Sequence, residues 1–146
     1  MITGLAIALW AVLVAIAVLH ASWGLGSHWP CESEEALVRS AVGRRGARRM
    51  PPPSACFIVA ALLAGVSVWP LLAVGVIPSA WSGWLTELEG AGIAAVFIGR
   101  GIAGYVPAWR RMHSAEPFVT LDRRVYSPLC LVLGAGFVAI LLRGSQ

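Results

Sequence analysis

The sequence predicts an all-α fold, a polytopic membrane protein whose four transmembrane helices form one bundle, and three observations lead there. Apolar residues make up 58% of the 146 positions and the mean hydropathy is +0.78, more apolar side chain than a soluble domain of this size can bury. Only 12% of residues are charged, and they gather in short stretches between long apolar runs, the pattern of a chain that crosses a bilayer repeatedly. The net charge of +4 reflects 11 basic residues, all arginine, against 7 acidic ones, and the arginines are placed asymmetrically. The absence of lysine in a chain rich in Ala, Val, Leu and Gly reads as the codon usage of a GC-rich bacterial genome.

A spanning helix needs about 20 mostly apolar residues, because the hydrocarbon core is roughly 30 Å thick and each residue rises about 1.5 Å. The first such run extends from Ile2 to Trp23. No basic residue precedes it and it is longer than a signal-peptide core, so a retained helix is expected rather than a cleaved leader. The second, Ser54 to Ile77, follows the breaker Pro51, Pro52 and Pro53 and is expected to kink at Pro70. The third, Leu85 to Val106, begins beside Glu87 and Glu89 and holds Arg100 within its apolar run. The fourth, Asp122 to Leu142, has Pro128 near its start, where a missing N–H does least harm. Between the first two spans, Ser33 to Val42 is expected to form an interfacial helix, capped by Ser33, with Leu37, Val38, Ala41 and Val42 as its apolar side. The whole chain, 1–146, is read as a single integral membrane domain without internal repeats.

Arginine placement sets the orientation, since short basic loops stay in the cytoplasm. The first connection holds Arg39, Arg44, Arg45, Arg48 and Arg49, and the third holds Arg110, Arg111, Arg123 and Arg124. The opposite side has no arginine in the turn from Pro78 to Thr86 and only Arg143 near the C-terminus. Both termini are therefore expected outside the cytoplasm, in a bacterial inner membrane. Cys31, Cys56 and Cys130 are far apart and form no C-x-x-C pair, so no disulfide framework is expected.

In the third span Ala91, Ala95, Gly99 and Ala103 recur every four residues and share a helical face where another backbone can approach. Packing within the bundle is the expected use of this row, with a homodimer contact as the alternative. Polar groups gather at one membrane level on this topology. His20 and Trp23 end the first span, Asp122 and Tyr126 begin the fourth, and Arg100 lies roughly 9 Å inside the third. An intramembrane arginine costs several kcal/mol unless it snorkels, meets water or finds an anion. Asp122 is the nearest counter-charge, so an Arg100–Asp122 ion pair stitching the third and fourth spans is expected. Asp122 as a helix cap and Trp23, Trp109 and Tyr126 as an interfacial belt are the structural alternatives.

Phosphate-binding glycine loops, nucleophile elbows and H-E-x-x-H are absent from the sequence. His20, His28, Cys31 and His113 would share one side, but they lack the paired clusters of a structural metal site, so neither metal nor cofactor is expected. The basic run Arg44 to Arg49 would attract anionic lipid at about 1 kcal/mol per charge, and nucleic acid in principle, but topology explains it fully and no partner, nucleic acid included, is assigned to it. A small lipophilic ligand, a lipid or a partner subunit bound at the polar layer is the first functional reading. The alternatives are a membrane enzyme acting on a quinone, isoprenoid or sterol-like substrate, with His20 moving the proton, and a small dimeric transporter.

The segment from His20 to Pro30, with Trp23, Gly26 and Trp29, is similar to the H-x-x-W-x-x-G-G-x-W-P signature of the bacterial family called domain of unknown function 3995, with Ser27 in place of the second glycine. Arg100 to Gly104, Phe118 to Asp122 and Tyr126 to Cys130 resemble that family's R-x-x-x-G, F-x-x-x-D and Y-S-P-L-C elements, in the same order. The resemblance implies a four-span membrane protein without an assigned activity. It places His20, Trp23, Arg100, Asp122 and Tyr126 on the family's motif positions.

Overall fold

The computed structural model describes residues 1–78 and 83–144. Residues 79–82 of the turn expected between the second and third spans lie outside the described residues, as does the chain end at 145 and 146. The elements run in the order α1 (Ile2–Gly24), α2 (Glu34–Ala41), α3 (Pro53–Ala73), α4 (Gly83–Ala103), α5 (Pro107–Met112), α6 (Phe118–Leu121), a π turn (Asp122–Tyr126) and α7 (Ser127–Gly144). The short α2 is present where a capped helix is expected. The Ser33 side chain accepts the Ala36 N–H at 3.2 Å, and Leu37 and Val38 are buried.

Among the described residues three stretches are long and apolar enough to cross a membrane, namely α1, α3 and the continuous helical path Phe118–Arg143. The 21-residue α4 is long enough as well, but it includes Glu87, Glu89 and Arg100. Two ends differ from expectation, each for a local reason. Helix α3 stops at Ala73 rather than Ile77 because Gly75, at φ +75°, turns the chain. Its N–H donates to Leu72 O at 3.1 Å and the Val76 N–H to Leu71 O at 2.9 Å, which satisfies the last carbonyls in a Schellman arrangement. Pro70 therefore falls in the final turn. Helix α4 ends at Ala103 because Gly104 and Tyr105 form a turn before Pro107 opens α5.

The four long helices pack as two antiparallel pairs, α1 with α3 and α4 with α7. On α1 the buried residues Ala6, Leu9, Leu13 and Ala17 recur at three- and four-residue intervals, so one face meets the interior. The pairs join around Trp69 of α3. Its ring lies 5.3 Å from Phe137, which in turn lies 5.9 Å from Phe97, and its indole N–H donates to Thr86 O at 2.8 Å. This joint is possible because α4 has Gly90 at that point: a Cβ there would overlap the Trp69 ring.

The small-residue row that carries the packing is not the expected one. Ala91, Ala95 and Gly99 are exposed and Ala103 is half-buried, so packing within the bundle is not their role. Gly90, Ala94, Gly101 and Gly104 are the buried small residues. On α7, Gly134 answers them, since a Cβ there would stand 2.6 Å from Ile98 and 3.3 Å from Ala94 O. Two small-residue stripes coexist on α4, and periodicity alone gives them equal standing.

The two arginine-rich connections come together at one end of the helices. Ala115 N–H donates to Gly43 O at 3.1 Å, and a Cβ on Gly43, already at φ +67°, would overlap Phe118. The Tyr126 hydroxyl reaches back to Ser40 O at 3.1 Å.

Candidate functional site

The helical path from Phe118 onward changes pitch at Asp122, and this local event builds the site. In the π turn the Ser127 N–H bonds to Asp122 O, five residues back rather than four. Asp122 and Ser127 therefore share a face. The Ser127 hydroxyl donates to Asp122 Oδ1 at 3.2 Å, and both residues are buried. Pro128 has no N–H to offer to the carbonyls before it, and the Tyr105 hydroxyl donates instead to Arg123 O at 3.1 Å.

Two further groups complete the shell of the carboxylate. Arg100 Nη2 lies 2.7 Å from Asp122 Oδ1, and the Trp109 indole N–H donates to Oδ2 at 3.0 Å. The Arg100 guanidinium carbon also stands 4.8 Å from the centre of the Trp109 ring, a cation–π distance. With three donors on two oxygens, a carboxylate that is 3% exposed is fully satisfied. Gly104 makes the room, since a Cβ there would overlap the Ser127 hydroxyl and stand 2.9 Å from Asp122 Oδ2.

The expected Arg100–Asp122 pair is thus present. Trp109 serves that pair as a hydrogen-bond donor, and Ser127 had no signal in the sequence because an interval of five residues does not share a face in an α-helix. The other residues of the expected polar layer go elsewhere. Tyr126 bonds to Ser40 and packs 5.9 Å from Phe118, in an aromatic series that continues through His113 to Trp109 at ring separations of 5.6 and 4.1 Å. His20 sits 4.8 Å from Trp23, its Nδ1 2.8 Å from Ile16 O, while the Trp23 indole donates to Trp29 O at 2.8 Å. No hydrogen bond or ring contact links His20 or Trp23 to Arg100 or Asp122 among the described residues. No three His, Cys, Asp or Glu side chains come together there either, so His20, His28, Cys31 and His113 do not assemble.

Arg100 differs from Asp122 in being only partly used. Its side chain is 30% exposed, and its Nη1 is buried without a hydrogen-bond partner among the described residues. The same side chain lines a groove of about 830 Å³ between α3 and α4, within the range of small-molecule pockets. Val59, Leu62 and Val66 form one wall, Leu88, Ile93 and Val96 the other, and Cys130 of α7 lies with Arg100 along the lining. From Leu88 to Arg100 the groove follows α4 for roughly 18 Å. Arg100 is its only cation among the described residues, and Glu89 stands on the same lining, eleven positions earlier along α4.

A family model described as Protein of unknown function (DUF3995) matches residues 13–137. The chain belongs to this family. The matched region includes Arg100, Trp109, Asp122 and Ser127, and it spans the groove from Val59 to Cys130. Three segments that resemble elements of the DUF3995 family meet here, the first of them distant in sequence from the other two: Arg100 and Gly104, Asp122, and Ser127 occupy one cluster. The segment from His20 to Pro30 forms a separate cluster at the end of α1. No curated protein and no solved structure matches the chain.

Proposed function

We propose that this protein is a four-span bundle of the inner membrane that binds a small lipophilic ligand in the α3–α4 groove. Arg100 would hold a hydrogen-bond-accepting head such as a carbonyl, carboxylate or phosphate, while the apolar body lies along Leu62, Ile93 and Val96. The observation that carries this reading is the state of Arg100. Asp122 and Trp109 fix the guanidinium from one side, and Nη1, a buried donor without a partner among the described residues, belongs to a side chain on a lining that is apolar apart from Arg100 itself and the distant Glu89. An unpaired buried donor costs about 1–3 kcal/mol, which an acceptor atom of a ligand would remove. Asp122, by contrast, has hydrogen-bond donors on both of its oxygens and is buried, and it acts as scaffold.

Counting α4 as the fourth span is supported by where its charges lie. Arg100 is neutralised by Asp122, and the exposed Glu87 and Glu89 stand in the second turn of the helix. Both arginine-rich connections would then face the cytoplasm and both termini the opposite side. In a background without Cys31, Cys56 and Cys130, a cysteine placed at Gly46 should react with an impermeant thiol reagent only after cells are opened. Labelling at Gly46 in intact cells reverses the orientation.

For ligand binding, protein purified in mild detergent should retain a lipophilic molecule visible by mass spectrometry of its organic extract. Val96→Trp fills the groove, and Arg100→Lys keeps the charge but loses the planar fork. Each should reduce retention about tenfold. Recovery of only bulk phospholipid, in equal amounts from all three proteins, refutes the groove as a site.

A further inference from the structure

Away from the groove, five arginines from three separate segments converge on one surface. Arg45 comes from the connection after α2, Arg110 and Arg111 from α5, and Arg123 and Arg124 from the π turn. They line two concavities. One, of about 490 Å³, holds Arg45, Arg110 and Arg111; the other, of about 430 Å³, holds Arg110, Arg123 and Arg124 together with Thr120. Arg110 belongs to both.

These charges lack internal compensation. Among the described residues the sole ion pair is Arg100–Asp122, and the one acidic residue bordering the concavities is Glu116, whose carboxylate faces the Thr120 N–H at 3.4 Å. Retaining a loop in the cytoplasm needs positive charge nearby, but it does not need arginines from three segments to share a wall. The walls are also tied. Ala115 N–H to Gly43 O joins the connection bearing Arg45 to the one bearing Arg110, and the Tyr105 hydroxyl on Arg123 O joins the end of α4 to the π turn.

Depth identifies the partner class. Arg123 and Arg124 lie within the continuous apolar helix Phe118–Arg143, in its second turn, and Tyr105 follows α4 by two residues. On the four-span reading proposed above, on which this inference rests, that is the level of lipid headgroups, where arginine takes phosphate with paired hydrogen bonds.

We infer that the two concavities hold the headgroup of an anionic phospholipid with two phosphates, one phosphate in each and Arg110 bridging them. The site is separate from the α3–α4 groove and stands or falls without it. The test uses the whole chain in detergent, titrated with cardiolipin, phosphatidylglycerol, inorganic pyrophosphate or a short oligonucleotide and read by native mass spectrometry. Cardiolipin should bind about tenfold more tightly than phosphatidylglycerol, and Arg110→Gln should abolish that preference. Arg143→Gln, at the other end of the helix, should leave it intact. Equal binding of the two lipids, or a preference that survives Arg110→Gln, overturns the inference. So does pyrophosphate or a short oligonucleotide binding as tightly as cardiolipin, since the site would then recognise free or polymeric phosphate.

Discussion

Asp122→Ala should lower the stability of the detergent-solubilised protein by about 3–5 kcal/mol, the cost of leaving one partner of a buried ion pair uncompensated. Three donors converge on this carboxylate, from Arg100, Trp109 and Ser127, and all three lose their acceptor together. Asp122→Asn keeps one oxygen but not the charge and should fall between the alanine variant and the native protein. Arg100→Leu should be at least as harmful as Asp122→Ala, because it leaves the more deeply buried carboxylate with two neutral donors, Trp109 and Ser127, and no counter-charge. The double variant Arg100→Leu/Asp122→Asn should be destabilised by less than the sum of its parts, with a coupling of about 1–3 kcal/mol in thermal or denaturant unfolding. Strict additivity would show that the pair contributes nothing as a pair, and a silent Arg100→Lys would reduce Arg100 to a snorkelling charge.

Gly90→Ala should be a strongly damaging single-methyl change in the bundle. The added carbon falls on the ring of Trp69, which is 2% exposed, packed against Phe137 and bonded to Thr86 O, so the ring has no easy retreat. Overpacking of this kind costs about 1–3 kcal/mol. Trp69→Phe removes the six-membered part of the indole that the methyl would strike, but also the N–H to Thr86 O, and is destabilising by itself. Combined with Gly90→Ala it should restore part of the loss, because the smaller ring admits the methyl. A double variant as unstable as the sum of the singles would mean that the two helix pairs are not joined through this contact.

Much of the helical architecture is legible in composition because a bilayer would constrain length and polarity so strongly. α1, α3 and α7 follow from apolar runs, and α2 from its serine cap and the apolar side Leu37, Val38, Ala41 and Val42, of which Leu37 and Val38 are buried. Arg100 and Asp122 stand out because each is expensive in an apolar segment unless paired. What the sequence hides is phase. Ala91, Ala95 and Gly99 make as good a small-residue row as Gly90, Ala94 and Gly101, and only the position of Trp69 and Leu131 decides which faces inward. Ser127 is hidden for the same reason, since its relation to Asp122 depends on one turn of altered pitch. Trp109 reads as an interfacial aromatic until its indole is seen to serve the carboxylate. His20 and Tyr126 share a depth with Arg100 on paper, but depth fixes only one coordinate, and both lie against other partners.

The π turn also separates two quantities that an unbroken helix ties together, the number of residues and the angle they subtend. Four residues stand between Asp122 and Ser127, one more than an α-helix would place between side chains on a common face. The surplus goes outward: Arg123, Arg124 and Val125 are all exposed. A protein with one residue fewer in this interval could close an ordinary turn and still bring the aspartate and the serine together. Distance along the chain and distance in space diverge at this point. A search pattern written with a fixed interval between the two residues therefore captures an insertion as well as a site, and would pass over a shorter chain that holds the same carboxylate in the same place.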